Sequence, residues 1–189
     1  PQMLELERLY FGIEKKIVGP RPQMKLEELN NVIDFLLWEW FSFDELLKLT
    51  DQIGMNAIHF VCSIGCKLAL ENMLEKDAAT VIPYLNKGNF EDDKKLEGYS
   101  PIAWACRSGH HELLEYLLLS AYSDEIDFRR CDHAGTSPFY VACFTGDPAI
   151  VELLLDHPDK IDFNKGKTFN DMSPFAAACA TGCAEVVKV

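Results

Sequence analysis

Four ungapped copies of one ten-residue pattern constrain this chain more than any other feature. They read NAIHFVCSIG from Asn56, SPIAWACRSG from Ser100, SPFYVACFTG from Ser137 and SPFAAACATG from Ser173, with starts 44, 37 and 36 residues apart. Each begins on a residue whose side-chain oxygen can accept an orphan backbone N–H at a helix start. In three copies proline follows, at the first helical position, where no N–H is required; Ala57 stands there in the first copy. Nine residues after each cap comes a glycine, suited to the left-handed backbone that ends a helix. The pattern predicts a helix of about two turns in each copy.

A second apolar periodicity follows each glycine. Leu113, Leu114, Leu117 and Leu118 fall at helical spacing in HHELLEYLLL, as do Ile150, Val151, Leu154 and Leu155 in DPAIVELLLD. The first copy is weaker, with Leu70, Met73 and Leu74, and the fourth, CAEVVKV, is incomplete at Val189. One helix pair cannot bury its own apolar face. Stacked neighbours can, at roughly 1.5–3 kcal/mol per fully buried large aliphatic side chain. Ala105, Ala142, Ala178 and Val61 at equivalent positions let the short helices approach closely. The expected fold is therefore all-α, a linear solenoid of helix pairs.

The units resemble ankyrin repeats, whose consensus is a hairpin DxxGxTPLHxAAxxGH and a leucine-rich helix over about 33 residues. DQIGMNAIHFVCSIG from Asp51 and DHAGTSPFYVACFTG from Asp132 carry the resemblance most closely. KLEGYSPIAWACRSGHHELLEYLLL from Lys95 departs only at the leading Asp, whereas TFNDMSPFAAACATG from Thr168 has Asp171 in place of the hairpin glycine. The consensus histidine survives as His59, with Ala103, Tyr140 and Ala176 in the other copies. The resemblance implies an ankyrin-type solenoid with hairpin loops over 51–189, in units of about 51–94, 95–131, 132–167 and an incomplete 168–189. The longest insertion, DAATVIPYLNKGNFEDDKKLEG, reads as an added helical turn at ATVIPYL followed by a charged mobile loop.

Residues 1–50 do not follow the repeat. MLELERLYFGIEKKIV is helical in character, GPRP breaks it, and KLEELNNVIDFLLWEWF places Leu29, Ile33, Leu36, Leu37 and Trp40 on one stripe. Ser42 and Glu45 form a capping box for FDELLKL. This region is expected to be a degenerate helical cap over the first repeat. The sharper alternative is a separate recognition domain using Trp38 and Trp40.

Cys62, Cys106, Cys143 and Cys179 recur at one repeat position, so they read as small apolar packing residues rather than nucleophiles. Cys62–Cys66 and Cys179–Cys183 each straddle a helix end without further ligands nearby, and no metal site is expected. Cys131 is the thiol expected to be accessible, and a rival reading makes Cys131 or Cys66 an enzymatic nucleophile. The adjacent His110 and His111 diverge on a helix. No GxGxxG, GxxxxGKS or GxSxG string is present, so neither a catalytic residue nor a cofactor is assigned.

The chain has 18 basic and 30 acidic residues, a formal charge of −12 at pH 7. That field repels a phosphate backbone, and nucleic-acid binding is not expected. No apolar run is long enough to span a bilayer, the N-terminal stretch lacks a basic signal-peptide start, and seven cysteines without local pairing suggest reduced thiols. The expected setting is the cytoplasm, with the nucleus left open.

Family ligands meet hairpin tips and the exposed side of the inner helices. Carried over, this gives Ile53, Met55, Ile64, Leu96, Glu97, Tyr99, Arg107, His133, Thr136, Phe144, Phe169 and Met172 as partner-binding positions. The expected function is non-enzymatic recognition of a protein or peptide, one with basic residues around apolar anchors given the charge. The alternative is a regulatory or targeting region of a longer enzyme or channel. The open C-terminal edge also suggests self-association of this fragment.

Overall fold

Each short inner helix is bracketed by the residues that the repeat pattern marks. The computed structural model describes residues 47–48, 55–88, 98–165 and 172–188, all within a unit spanning Ser42–Val189. From Ala57 onward the described elements are helices in pairs: α1 Ala57–Ile64 with α2 Lys67–Leu85, α3 Pro101–Ser108 with α4 His111–Leu119, α5 Pro138–Thr145 with α6 Pro148–Leu155, and α7 Pro174–Thr181 with α8 Ala184–Lys188. Inner helices α1, α3, α5 and α7 pack in series; outer helices α2, α4, α6 and α8 do the same behind them. This is the expected solenoid.

The caps act as the sequence dictates. Asn56 Oδ1 accepts the backbone N–H groups of Ile58 and His59, and the hydroxyls of Ser100, Ser137 and Ser173 accept those of Ala103, Tyr140 and Ala176. At the other end the chain turns through glycine. Gly65 has φ 73°, and a Cβ there would lie 2.3 Å from His110 Nδ1, so backbone conformation and close approach both require glycine.

The interior between layers holds Val61, Ala105, Ala142 and Ala178 on the inner helices and Leu70, Leu74, Leu113, Leu114, Leu117, Ile150 and Leu154 on the outer ones, all buried. Small residues face the tight inner–inner contacts, and leucines fill the wider space between the two rows.

The insertion in the first unit forms more helix than the expected single turn. Asp77 leaves helical backbone at φ −158°, ψ 79° within α2, and its carboxylate accepts the Thr80 N–H at 3.1 Å to start the chain again. The segment after it buries Val81, Ile82 and Leu85. Its terminal residue Asn86 then reaches the second unit: Nδ2 donates to Glu125 O at 2.8 Å and Oδ1 accepts the Asp127 N–H at 2.7 Å. The charged loop expected after it lies outside the described residues. So does the expected N-terminal cap, apart from Leu47 and Lys48, which are helical with Leu47 fully buried.

Candidate functional site: a ring-walled cleft on the inner helices

The repeat cysteines sit between layers, not in a cleft. Cys62, Cys106 and Cys143 are buried, and burial raises all three thiol pKa values, that of Cys143 to about 12. They remain protonated at neutral pH, which suits packing and opposes nucleophilic chemistry. Cys179 breaks the uniformity: it occupies the same position on α7 but is exposed, because no further described pair packs over it. Cys66 is buried at the start of α2. Cys131 is partly exposed, and its thiol is raised chiefly by burial rather than activated. Among the described residues no cluster of three or more His, Cys, Asp or Glu could hold a metal ion.

In the second and fourth units the residue after the turn glycine reaches back to the preceding unit. His110 Nε2 lies 2.8 Å from the Ser63 carbonyl, and Cys183 Sγ donates to the Gly146 carbonyl at 3.3 Å. At the equivalent place in the third unit, Asp147 instead caps α6, accepting the N–H groups of Ala149 and Ile150. His110 is thus structural. His59 is also structural: its Nδ1 donates to Asn56 Oδ1 at 2.9 Å, and burial lowers its pKa to about 4. The backbone of Tyr99 and Lys87 favours the charged ring, but desolvation outweighs it.

One accessible feature is a cleft of about 410 Å³ between the second and third units, lined by Tyr99, Arg107, Thr136, Tyr140, Val141, Phe144 and Thr145. Tyr99 precedes the Ser100 cap and packs edge-on against Trp104, centroids 5.8 Å apart, as a hydrophobic staple across the helix start. Three residues further along α3, the Arg107 guanidinium lies 5.5 Å from the Trp104 ring and 5.7 Å from that of Tyr99, within cation–π range. Opposite, Tyr140 and Phe144 are one turn apart on α5 and stack with centroids 6.3 Å apart and planes 9° apart. Phe144 is 56% exposed.

Of the twelve expected partner-binding residues, the cleft brings together Tyr99, Arg107, Thr136 and Phe144. Thr136 is only 4% exposed, however, and Met55 is also buried, so neither presents the broad contact surface its position suggested. Both precede a capping residue, where a side chain folds down onto the helix start. Met172 is half-buried beside the cleft, its Sδ accepting the Tyr140 hydroxyl at 3.5 Å. His133 is exposed at the third hairpin and Ile64 is half-buried in the first unit; neither lines the cleft. Ile53, Leu96, Glu97 and Phe169 lie outside the described residues.

Trp104 and Tyr140 were not among the expected partner-binding residues. The signal for both was spacing: Trp104 stands three residues before Arg107, and Tyr140 four before Phe144.

The comparison with family sequences falls on this same stretch: residues 102–155 match the family model described as ankyrin repeats (many copies). Residues 102–155 are ankyrin repeats. They run from α3 through α6, and the units on either side share their capping and stacking. Over 72 residues the chain is also 33% identical to a Saccharomyces cerevisiae protein described as "Probable 26S proteasome regulatory subunit p28". That alignment takes in 38% of this chain and 31% of the yeast protein, so the chain spans about a third of that relative's length.

Proposed function

We propose that this ankyrin-repeat chain is a non-catalytic interaction module, binding a partner protein or peptide through its hairpin tips and inner helices. The carrying observation is the cleft itself, where Tyr99, Tyr140 and Phe144 offer aromatic surface on a frame already fixed by caps and stacking. Aromatic anchors in a preformed recess supply binding energy with little ordering cost. The charge of −12 favours a partner with basic residues flanking its apolar anchors. Ile53, Leu96, Glu97 and Phe169, expected from the repeat pattern to be hairpin positions, extend the proposed contact surface beyond the cleft, together with Ile64, His133 and Met172.

The description of the yeast relative as a regulatory subunit favours a second form of this reading, a region that regulates or targets a larger enzyme assembly. Among the described residues no helix is long and apolar enough to cross a membrane. The seven free cysteines support a reducing intracellular setting, the cytoplasm by preference. Phe175, at 65% exposure, and Val187 leave apolar surface on the last described pair, and we extend the proposal to self-association there; sedimentation velocity showing only monomer at high concentration would remove that part.

The test is capture of binding proteins on the chain, followed by the Tyr99→Ala/Phe144→Ala double variant. A loss of affinity of tenfold or more in the captured partner is expected. Unchanged affinity would place the interaction elsewhere on the molecule.

A further inference from the structure

The cleft is walled by rings, yet among the described residues its one charged lining side chain is a cation. Arg107 is exposed in the last turn of α3, and the other lining residues, Thr136, Tyr140, Val141, Phe144, Thr145 and Tyr99, contribute no carboxylate. Among the described residues, no carboxylate forms an ion pair with it. In a chain with 30 acidic and 18 basic side chains, the described lining of the cleft is therefore opposite in sign to the molecule as a whole.

The guanidinium is also held in place. Its position over both Tyr99 and Trp104 limits the rotamers of a long side chain, and a planar guanidinium fixed against rings retains N–H edges that match a carboxylate in a two-bonded fork. A second observation lies beside it. The Thr136 hydroxyl is buried and has no hydrogen-bond partner among the described residues, although Thr136 lines the cleft. A buried hydroxyl left unpaired is costly, and rotation about χ1 would offer it to a polar group bound in the cleft. The volume of about 410 Å³ lies at the small end of the range for ligand pockets, enough for one large side chain with its neighbour rather than a whole helix.

We infer that the cleft takes a segment of a partner protein in which an aromatic or large aliphatic side chain stands beside an Asp or Glu. The apolar side chain lies between Tyr99 and Phe144, and the carboxylate pairs with Arg107. This rests on the interaction reading above and specifies its chemistry. Basic residues further along the partner meet the acidic remainder of the chain, whereas the residue next to the anchor is acidic.

Random heptapeptides displayed on phage, selected on the immobilised 189-residue chain, test it. Enrichment of Asp or Glu adjacent to an aromatic or large aliphatic residue is expected. A selected peptide carrying fluorescein is then titrated by anisotropy against the wild type, Arg107→Gln, Arg107→Glu and Phe144→Ala, with each variant's melting followed by circular dichroism. Both Arg107 variants and Phe144→Ala are expected to weaken binding at least tenfold while remaining folded. A matched peptide with Lys in place of its carboxylate should prefer Arg107→Glu to the wild type. Enrichment of Lys or Arg beside the anchor, or binding that depends on Phe144 but not on Arg107, would overturn the carboxylate assignment and leave the interaction reading standing. Binding indifferent to all three substitutions, or no selected peptide at all, would overturn both.

Discussion

The imidazole of His110 joins the second unit to the first: its Nε2–H donates to the carbonyl of Ser63, 2.8 Å away and 47 residues earlier in the chain. A carbonyl can only accept, so the bond fixes the ring in the Nε2–H form when neutral. The same ring fills the space a side chain at Gly65 would need. Turn and ring thus form one coupled element at the joint between repeats.

That coupling is measurable by a double-mutant cycle in urea. His110→Ala is expected to cost about 1–2 kcal/mol through the lost bond and the orphaned carbonyl. Gly65→Ala should cost more than the roughly 1–2 kcal/mol of left-handed backbone, because its methyl also meets the ring. In the His110→Ala background the cost of Gly65→Ala should fall to the backbone part alone. Strict additivity would show that turn and ring act independently.

His59 makes stability depend on pH. Its folded pKa, about 4, lies below the ordinary histidine value of 6.5 because the ring is buried, so the folded chain favours the neutral ring. Its contribution is complete above pH 6.5 and is lost as pH falls toward 4, at about 1.4 kcal/mol per pH unit and about 3 kcal/mol in all. Urea midpoints measured from pH 7 to pH 4.5 should fall more steeply for the wild type than for His59→Gln. Parallel curves would show that the ring does not resist protonation.

Thiol accessibility should divide the seven cysteines by their place in the stack. Cys179 is exposed and Cys131 and Cys183 are partly so, whereas Cys62, Cys66, Cys106 and Cys143 are buried. Native alkylation with mass mapping is expected to modify Cys179 fastest, then Cys131 and Cys183, with the other four reacting only in denaturant. Rapid native labelling of Cys106 would contradict the layered packing.

Inner-helix positions should tolerate change very unequally. Ala142 is fully buried where α5 packs between α3 and α7, so Ala142→Leu is expected to cost about 1–3 kcal/mol or more through overpacking. Phe144, two residues away but exposed, should change stability by only about 0.5 kcal/mol when replaced by Ala. Thermal melts of the two variants check the contrast.

Much of the frame was legible because its determinants are local. A cap, a proline and a glycine at fixed offsets specify each inner helix, and the spacing of Leu113, Leu114, Leu117 and Leu118 specifies the outer one behind it. The cleft was half legible. Tyr99, Arg107 and Phe144 could be placed by repeat position, but whether a side chain at the cap-preceding position folds inward, as Thr136 does, depends on its shape and on the neighbouring unit. The equivalence of the four cysteines held for three, and the environment of Cys179 depends on what stacks over α7, which its own sequence position does not encode. The second part of α2, restarted by Asp77, carried a capping signal in the Asp77–Thr80 spacing that the run of apolar residues after it obscured.

The amide of Asn86 gives that insertion a mechanical meaning. With one hand on Glu125 and the other on Asp127, it buttresses the rear of the second unit from an arm that Val81, Ile82 and Leu85 anchor in the first. Bending that opened or closed the joint between these two units would have to break the strut or drag its anchors. The extra length of the first repeat therefore stiffens the joint between the first two units and steadies the second, which carries the Tyr99 and Arg107 wall of the cleft.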